Sequence, residues 1–117
     1  MSGPELVMSK ISPTKIDELA KEYFGDMVKI VVDLRRGILT AGGELHADGE
    51  KILLEQGSVQ EDIWGANFFP GRSGGERLEY TAMINIRPRQ QNRSQVVENE
   101  ERRQRIAAIV KLLLGSI

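Results

Sequence analysis

The sequence predicts an α+β fold, a small antiparallel sheet of about four strands with the N- and C-terminal helices packed on one face. Three observations carry this. Apolar residues recur at helical spacing near both ends of the chain. Between them, two segments alternate apolar and polar residues with the period of a strand. Short Gly-containing connections join successive strands, so that neighbours run antiparallel and the helices cover the apolar face. The element order is α-β-β-(short α)-β-β-α. Residues 11–117 are expected to form a single α+β domain, and residues 1–10 a flexible N-terminus or a short edge strand of Leu6, Val7 and Met8.

The first helix has a clear start. Ser12 is a good N-cap, and Pro13 takes the first helical position, where its missing N–H costs nothing. Ile11 and Ile16 flank the cap at hydrophobic-staple spacing. Ile16, Leu19, Ala20, Tyr23 and Phe24 form one apolar stripe, and Gly25 ends the helix. In MVKIVVDLR, residues 27–35, Val28, Ile30, Val32 and Leu34 share one face of a strand. Arg36-Gly37 turns the chain into a second strand, ILTAGGELHA, in which Gly42-Gly43 marks a bulge or a close backbone approach.

Residues 48–57 read as a two-turn helix capped by Asp48 and stopped at Gly57, with a KILLE strand as the alternative. EDIWGANFF, residues 61–69, reads as a strand ended by Pro70-Gly71. GRSGGER is a flexible connection and lacks the lysine and spacing of a P-loop. Residues 78–87 give the cleanest strand alternation, with Leu78, Tyr80, Ala82, Ile84 and Ile86 on one face. The last helix starts near Asn99 as N-cap, buries Ile106, Ile109, Val110 and Leu113, and ends at Gly115.

Composition excludes several chemistries. The 117 residues include no cysteine and one histidine. Disulfides, thiolate metal sites, a cysteine nucleophile and a within-chain histidine cluster are therefore ruled out. No apolar run approaches the ~20 residues of a membrane span. The start, MSGPELVMSK, lacks the features of a secretory signal. A soluble cytoplasmic protein is the expectation.

The net charge of −1 hides an uneven distribution. Residues 44–62 carry six acids against Lys51, whereas residues 85–95 carry Arg87, Arg89 and Arg93 and no acid. Two constellations follow. On a strand, Glu44, His46 and Asp48 would project to one face at roughly 6.6–6.8 Å spacing. His46 would then serve as a general acid or base beside a carboxylate. The same three could offer an O/N/O set to a divalent ion, or simply form a solvated polar strand. With one histidine, no metal site is assigned. The second constellation is Asn85, Arg87, Asn92 and Arg93, flanked by Arg89 and Ser94. Arginine forks and amide donors without an intervening acid suit a small anionic ligand. Equally, these arginines could pair with nearby carboxylates and hold the last helix to the sheet. Trp64, Phe68 and Phe69 suit the core or an interface.

Three classes of function compete: a small anionic-ligand site on the polar sheet face, a protein-interaction or homo-oligomeric module, and an RNA-binding or ribonuclease-like domain. The near-neutral charge and 5% aromatic content weaken the nucleic-acid reading. Enzymatic activity stays open and the cofactor, if one is used, stays unknown.

The segments GGELHAD at 42–48, QEDIWGANFFP at 60–70 and INIRPRQQNRS at 84–94 together resemble those of a family of short bacterial and archaeal proteins catalogued as a domain of unknown function. The resemblance runs from about the first helix to the last. It implies no established activity, cofactor or catalytic residue. The longer Gly-rich connection at 71–77 departs from the family pattern.

Overall fold

The computed structural model describes residues 3–115. Helix α1 spans Pro13–Tyr23, and the Ser12 side chain accepts the Lys15 backbone N–H at 3.1 Å. The hairpin that follows joins β2 (Val28–Asp33) to β3 (Ile38–Ala41). Asp33 builds the turn between them. Its Oδ1 accepts the backbone N–H of Arg35 and Arg36, and its Oδ2 accepts the Ser58 hydroxyl at 2.6 Å. Both oxygens of this buried carboxylate thus have partners. It also ties the turn to the segment after the next helix.

Strand β1 (Glu5–Val7) adds to the outer side of β3. Strand β4 (Ile63–Phe68) pairs with β2 along its whole length, with Val31 opposite Gly65 and Val32 opposite Trp64. The short β5 (Leu78–Glu79) meets only the end of β4. The sheet order is β1-β3-β2-β4-β5, all antiparallel. Helix α3 (Glu100–Leu114) is capped as expected, Asn99 Oδ1 accepting the Arg102 N–H at 2.9 Å.

The α+β class and the flanking terminal helices are as the sequence predicts. Alternation along the strands sorts their side chains into two cores. Val28, Ile30, Val32, Trp64, Ala66 and Phe68 pack with α1 and α3. Val31, Ile38 and Ile63 pack with Leu53 of α2 (His46–Glu55) on the opposite face. That second face was expected to stay polar. It is covered because Val31, Ile38 and Ile63, one from each of three neighbouring strands, make an apolar patch there on which Leu53 packs.

Three elements differ from the sequence reading. Strand β3 stops at Ala41, where Gly42 (φ 103°) and Gly43 (φ 81°) turn the chain through the left-handed region. The helical reading of 48–57 holds, but α2 begins at His46, with Leu45 in the cap position and Asp48 in the first turn. Finally, the strand expected over 78–87 ends at Glu79 and gives way to 3-10 turns at Met83–Asn85 and Pro88–Gln90. Residues 80–97 instead form an irregular hairpin. Val97 N–H donates to the Tyr80 carbonyl, Ala82 N–H to that of Gln95, and Arg87 N–H to that of Asn92. Its tip is Gln91, the sole non-glycine residue with positive φ among those described.

No helix among the described residues is long and apolar enough to cross a membrane.

Packing of α2 makes a clear contrast between neighbours. Leu53 is fully buried while Leu54 is 42% exposed. Leu53→Ala should cost about 2–5 kcal/mol through the cavity it leaves. Leu54→Ala should stay within about 0.5 kcal/mol. Urea denaturation of both variants checks whether α2 is docked as described.

Candidate functional site

The site grows from the outer edge of β4. On that edge, β5 reaches only Asn67 and Phe68. The rest must find other partners, because an unpaired buried backbone group is costly. Asn85 supplies them. Its Oδ1 accepts the Gly65 N–H at 2.8 Å, and its Nδ2 donates to the Gly65 carbonyl at 2.9 Å and to that of Gln95 at 3.0 Å. A side-chain amide carries the same donor and acceptor as a peptide unit, so Asn85 stands in for one residue of a missing strand. Gly65 makes this approach possible. A Cβ there would lie 2.5 Å from Ala82 Cβ and 3.2 Å from His46 Cδ2.

Asn92 holds the hairpin from within. Its Nδ2 donates to the carbonyls of Asn85, Ser94 and Val96, and its Oδ1 accepts the Glu98 N–H. Both asparagines are completely buried. Glu98 in turn accepts the Ser94 hydroxyl and the backbone N–H of Arg93 and Ser94, which holds its carboxyl below the usual range.

Arg87 is the hub. Its Nε donates to the Ile84 carbonyl at 3.0 Å. Nη1 donates to the Gln60 carbonyl at 2.6 Å and to Gln90 Oε1 at 3.3 Å, and Nη2 to the Ile63 carbonyl at 2.6 Å. The guanidinium lies 4.5 Å from the Trp64 ring centroid, as does that of Arg102. Such cation–π contacts strengthen where water is excluded. Burial pushes the Arg87 guanidinium below its ordinary value. Glu50 and Glu61 oppose that shift and Arg102 adds to it.

Beside this hub lies a cleft of about 530 Å³ between α2, the segment at 60–61 and the hairpin. Glu50 and Arg87 face each other in it, Glu50 Oε2 lying 3.5 Å from Arg87 Nη2. Oε2 is sealed from solvent and accepts no hydrogen bond. Arg89 and Glu61 stand exposed at the rim, with Met83 and Ile86 as exposed apolar walls.

The predicted residues are thus placed unevenly. Asn85, Arg87 and Asn92 come together, but each spends its hydrogen-bonding groups on the protein. Arg93 is exposed, apart from the cleft lining. Glu44, His46 and Asp48 do not form the expected strand ladder, because Glu44 lies in the turn and the other two in the first turn of α2. Two helical residues diverge by roughly 200°. Asp48 and Glu44 are exposed, whereas His46 is buried and its Nε2 donates to the Ala66 carbonyl at 2.8 Å. Among the described residues, no three His, Asp or Glu side chains converge as metal ligands.

Sequence reasoning missed Glu50, Glu61 and Gln90. For Glu50 a signal existed. His46, Glu50 and Leu53 recur at helical spacing once the helix is started at His46 rather than Asp48.

Fold and site together define a small α+β domain whose sheet edge is closed by an asparagine–arginine network beside a charged cleft. The chain belongs to the family described as Protein of unknown function (DUF5674), whose model matches residues 5–113, a family of small bacterial and archaeal proteins. No curated protein and no solved structure matches the chain.

Three outcomes follow from this geometry. Asn85→Ala leaves the Gly65 N–H and carbonyl without their partner and should cost about 2 kcal/mol or more in urea denaturation. Arg93→Ala, an exposed control, should stay within about 0.5 kcal/mol. Burial, helped by the Lys29 charge, lowers the pKa of His46, against the opposing pull of its bond to Ala66. The unfolded chain therefore binds the proton first as pH falls below the ordinary histidine value of about 6.5. Stability present above that pH is lost as the pH drops through the lowered folded value. Urea midpoints should fall more steeply in this window for the wild type than for His46→Gln. Equal slopes would show that His46 is not held neutral by the fold.

Proposed function

We propose that this domain binds a small charged ligand in the cleft between α2 and the 80–97 hairpin. The observation that carries the reading is an imbalance of partners. Arg89 forms no hydrogen bond or ion pair within the described residues, and the Glu50 carboxylate accepts no hydrogen bond although it is largely withdrawn from water. Groups left in this condition at a concave surface are suited to a ligand. The cleft volume falls within the range of small-molecule sites.

The ligand contacts differ from those expected of the arginine segment. Arg87 lends the cleft its charge, but its donors are spent on carbonyls. An anionic group on the ligand is met by Arg89 at the rim. Asn85 and Asn92 hold the hairpin that carries Arg87 and Arg89, and so position the site without touching the ligand.

A thermal-shift screen of amines, carboxylates, phosphates and amino acids tests this. At a hundredfold excess over Kd, binding adds about 2.7 kcal/mol. At least one class should therefore raise Tm by several degrees. The rise should shrink in Arg89→Ala or Glu50→Gln. A screen in which no class moves Tm, or shifts that survive in both variants, would overturn the proposal.

A further inference from the structure

We infer that the cleft seats a cationic nitrogen of its ligand, an amine or a guanidine, on the carboxylate of Glu50. This rests on the cleft being a ligand site and goes beyond it by fixing the chemistry of the anchoring group.

The argument is one of donors and acceptors. A carboxylate offers about four acceptor positions. Neither oxygen of Glu50 accepts a hydrogen bond from any described residue, although its side chain is only 16% exposed. The cation that faces it does not fill the need. Arg87 Nη2 is 3.5 Å away, and its strong bond, at 2.6 Å, goes to the Ile63 carbonyl. Arg87 thus gives Glu50 a favourable field without a hydrogen bond. Removing a carboxylate from water without replacing its hydrogen bonds is costly. Oε2 is sealed against Arg87, so a ligand N–H donor would meet the carboxylate at Oε1, which accepts nothing from the described residues.

The surroundings fit the same group. Glu61 adds a second carboxylate at the rim, and its charge already acts on Arg87. Met83, 69% exposed, and Ile86 provide an apolar wall along which an alkyl stem can lie. An anion entering the floor would meet an arginine with its donors occupied and a carboxylate whose Oε1 has no protein donor. An ammonium or guanidinium meets the reverse. It would form charge-assisted hydrogen bonds, which are shorter and stronger than neutral ones.

The test compares probes of matched shape and opposite charge. Butylamine, agmatine, butyrate and butanol are titrated into the ¹⁵N-labelled full chain at constant ionic strength, with amide shifts followed across α2 and residues 83–90. Butylamine and agmatine should give saturable shifts there, and butyrate and butanol none at the same concentration. Glu50→Gln should weaken amine binding by about tenfold or more. If that variant loses its dispersed spectrum, the comparison of butylamine with butyrate on the wild type still decides. Butyrate binding in the cleft without butylamine, or amine binding undiminished in folded Glu50→Gln, overturns the inference and leaves the cleft a ligand site. Silence of the cleft amides to all four probes, together with a thermal screen in which no class moves Tm, removes both.

Discussion

The outer edge of β4 is the constraint around which this domain is arranged. The strand is six residues long and buried at every position, yet a neighbouring strand covers only two residues of that edge. Its remaining peptide groups point where no strand follows. An edge in a buried place cannot rely on water. The chain answers with side chains, Asn85 on Gly65 and Arg87 on the Ile63 carbonyl. Each needs its own backbone fixed at a definite distance from the strand, which Asn92 provides by tying the hairpin together. The cleft is a by-product of that arrangement. Its hairpin wall stands off the sheet because a side chain, rather than a backbone, spans the gap.

Arg87 links the layers. Its guanidinium holds carbonyls from the approach to β4, from the start of β4 and from the hairpin, faces Glu50 on α2, and lies against Trp64. Lysine could not do this, since it lacks the planar fork with five donors. Two guanidinium groups near one indole repel each other, and Arg102 does lower the Arg87 pKa. Carbonyl oxygens surround the pair: Arg102 donates to that of Gln90 at 3.3 Å. Positive charge is thereby distributed over backbone dipoles as well as over one carboxylate.

Much of this was legible in the residues. Ser12 and Asn99 announce their helices, because an N-cap is local chemistry that needs no tertiary partner. The alternation of β2 was likewise plain, and EDIWGANFF read as a strand bounded by Pro70-Gly71. What escaped was decided over distance. Residues 78–87 alternate as a strand should, and only the need of Gly65 for an amide partner converts Asn85 from a strand residue into a bridge. The start of α2 escaped because Leu45 gives no capping signal. That shift of two residues broke the ladder expected of Glu44, His46 and Asp48, and it concealed Glu50. The arginine–asparagine segment was singled out for its donors, and the structure does gather Asn85, Arg87 and Asn92. Sequence could not reveal that carbonyls of the same chain already occupy them.

Closing a sheet with an amide has one more effect. A strand edge is a template: whatever pairs with it presents a new edge, and so invites another copy. Asn85 pairs with one residue of β4 and gives its remaining amide hydrogen to the Gln95 carbonyl of its own hairpin. Its far side is a carbon skeleton leading back to its own hairpin, with nothing to offer an incoming chain. The sheet terminates in strands of only three and two residues, β1 and β5. The six-residue β4 is thereby withheld from intermolecular growth. A device that completes the fold also shields the segment IWGANF from aggregation.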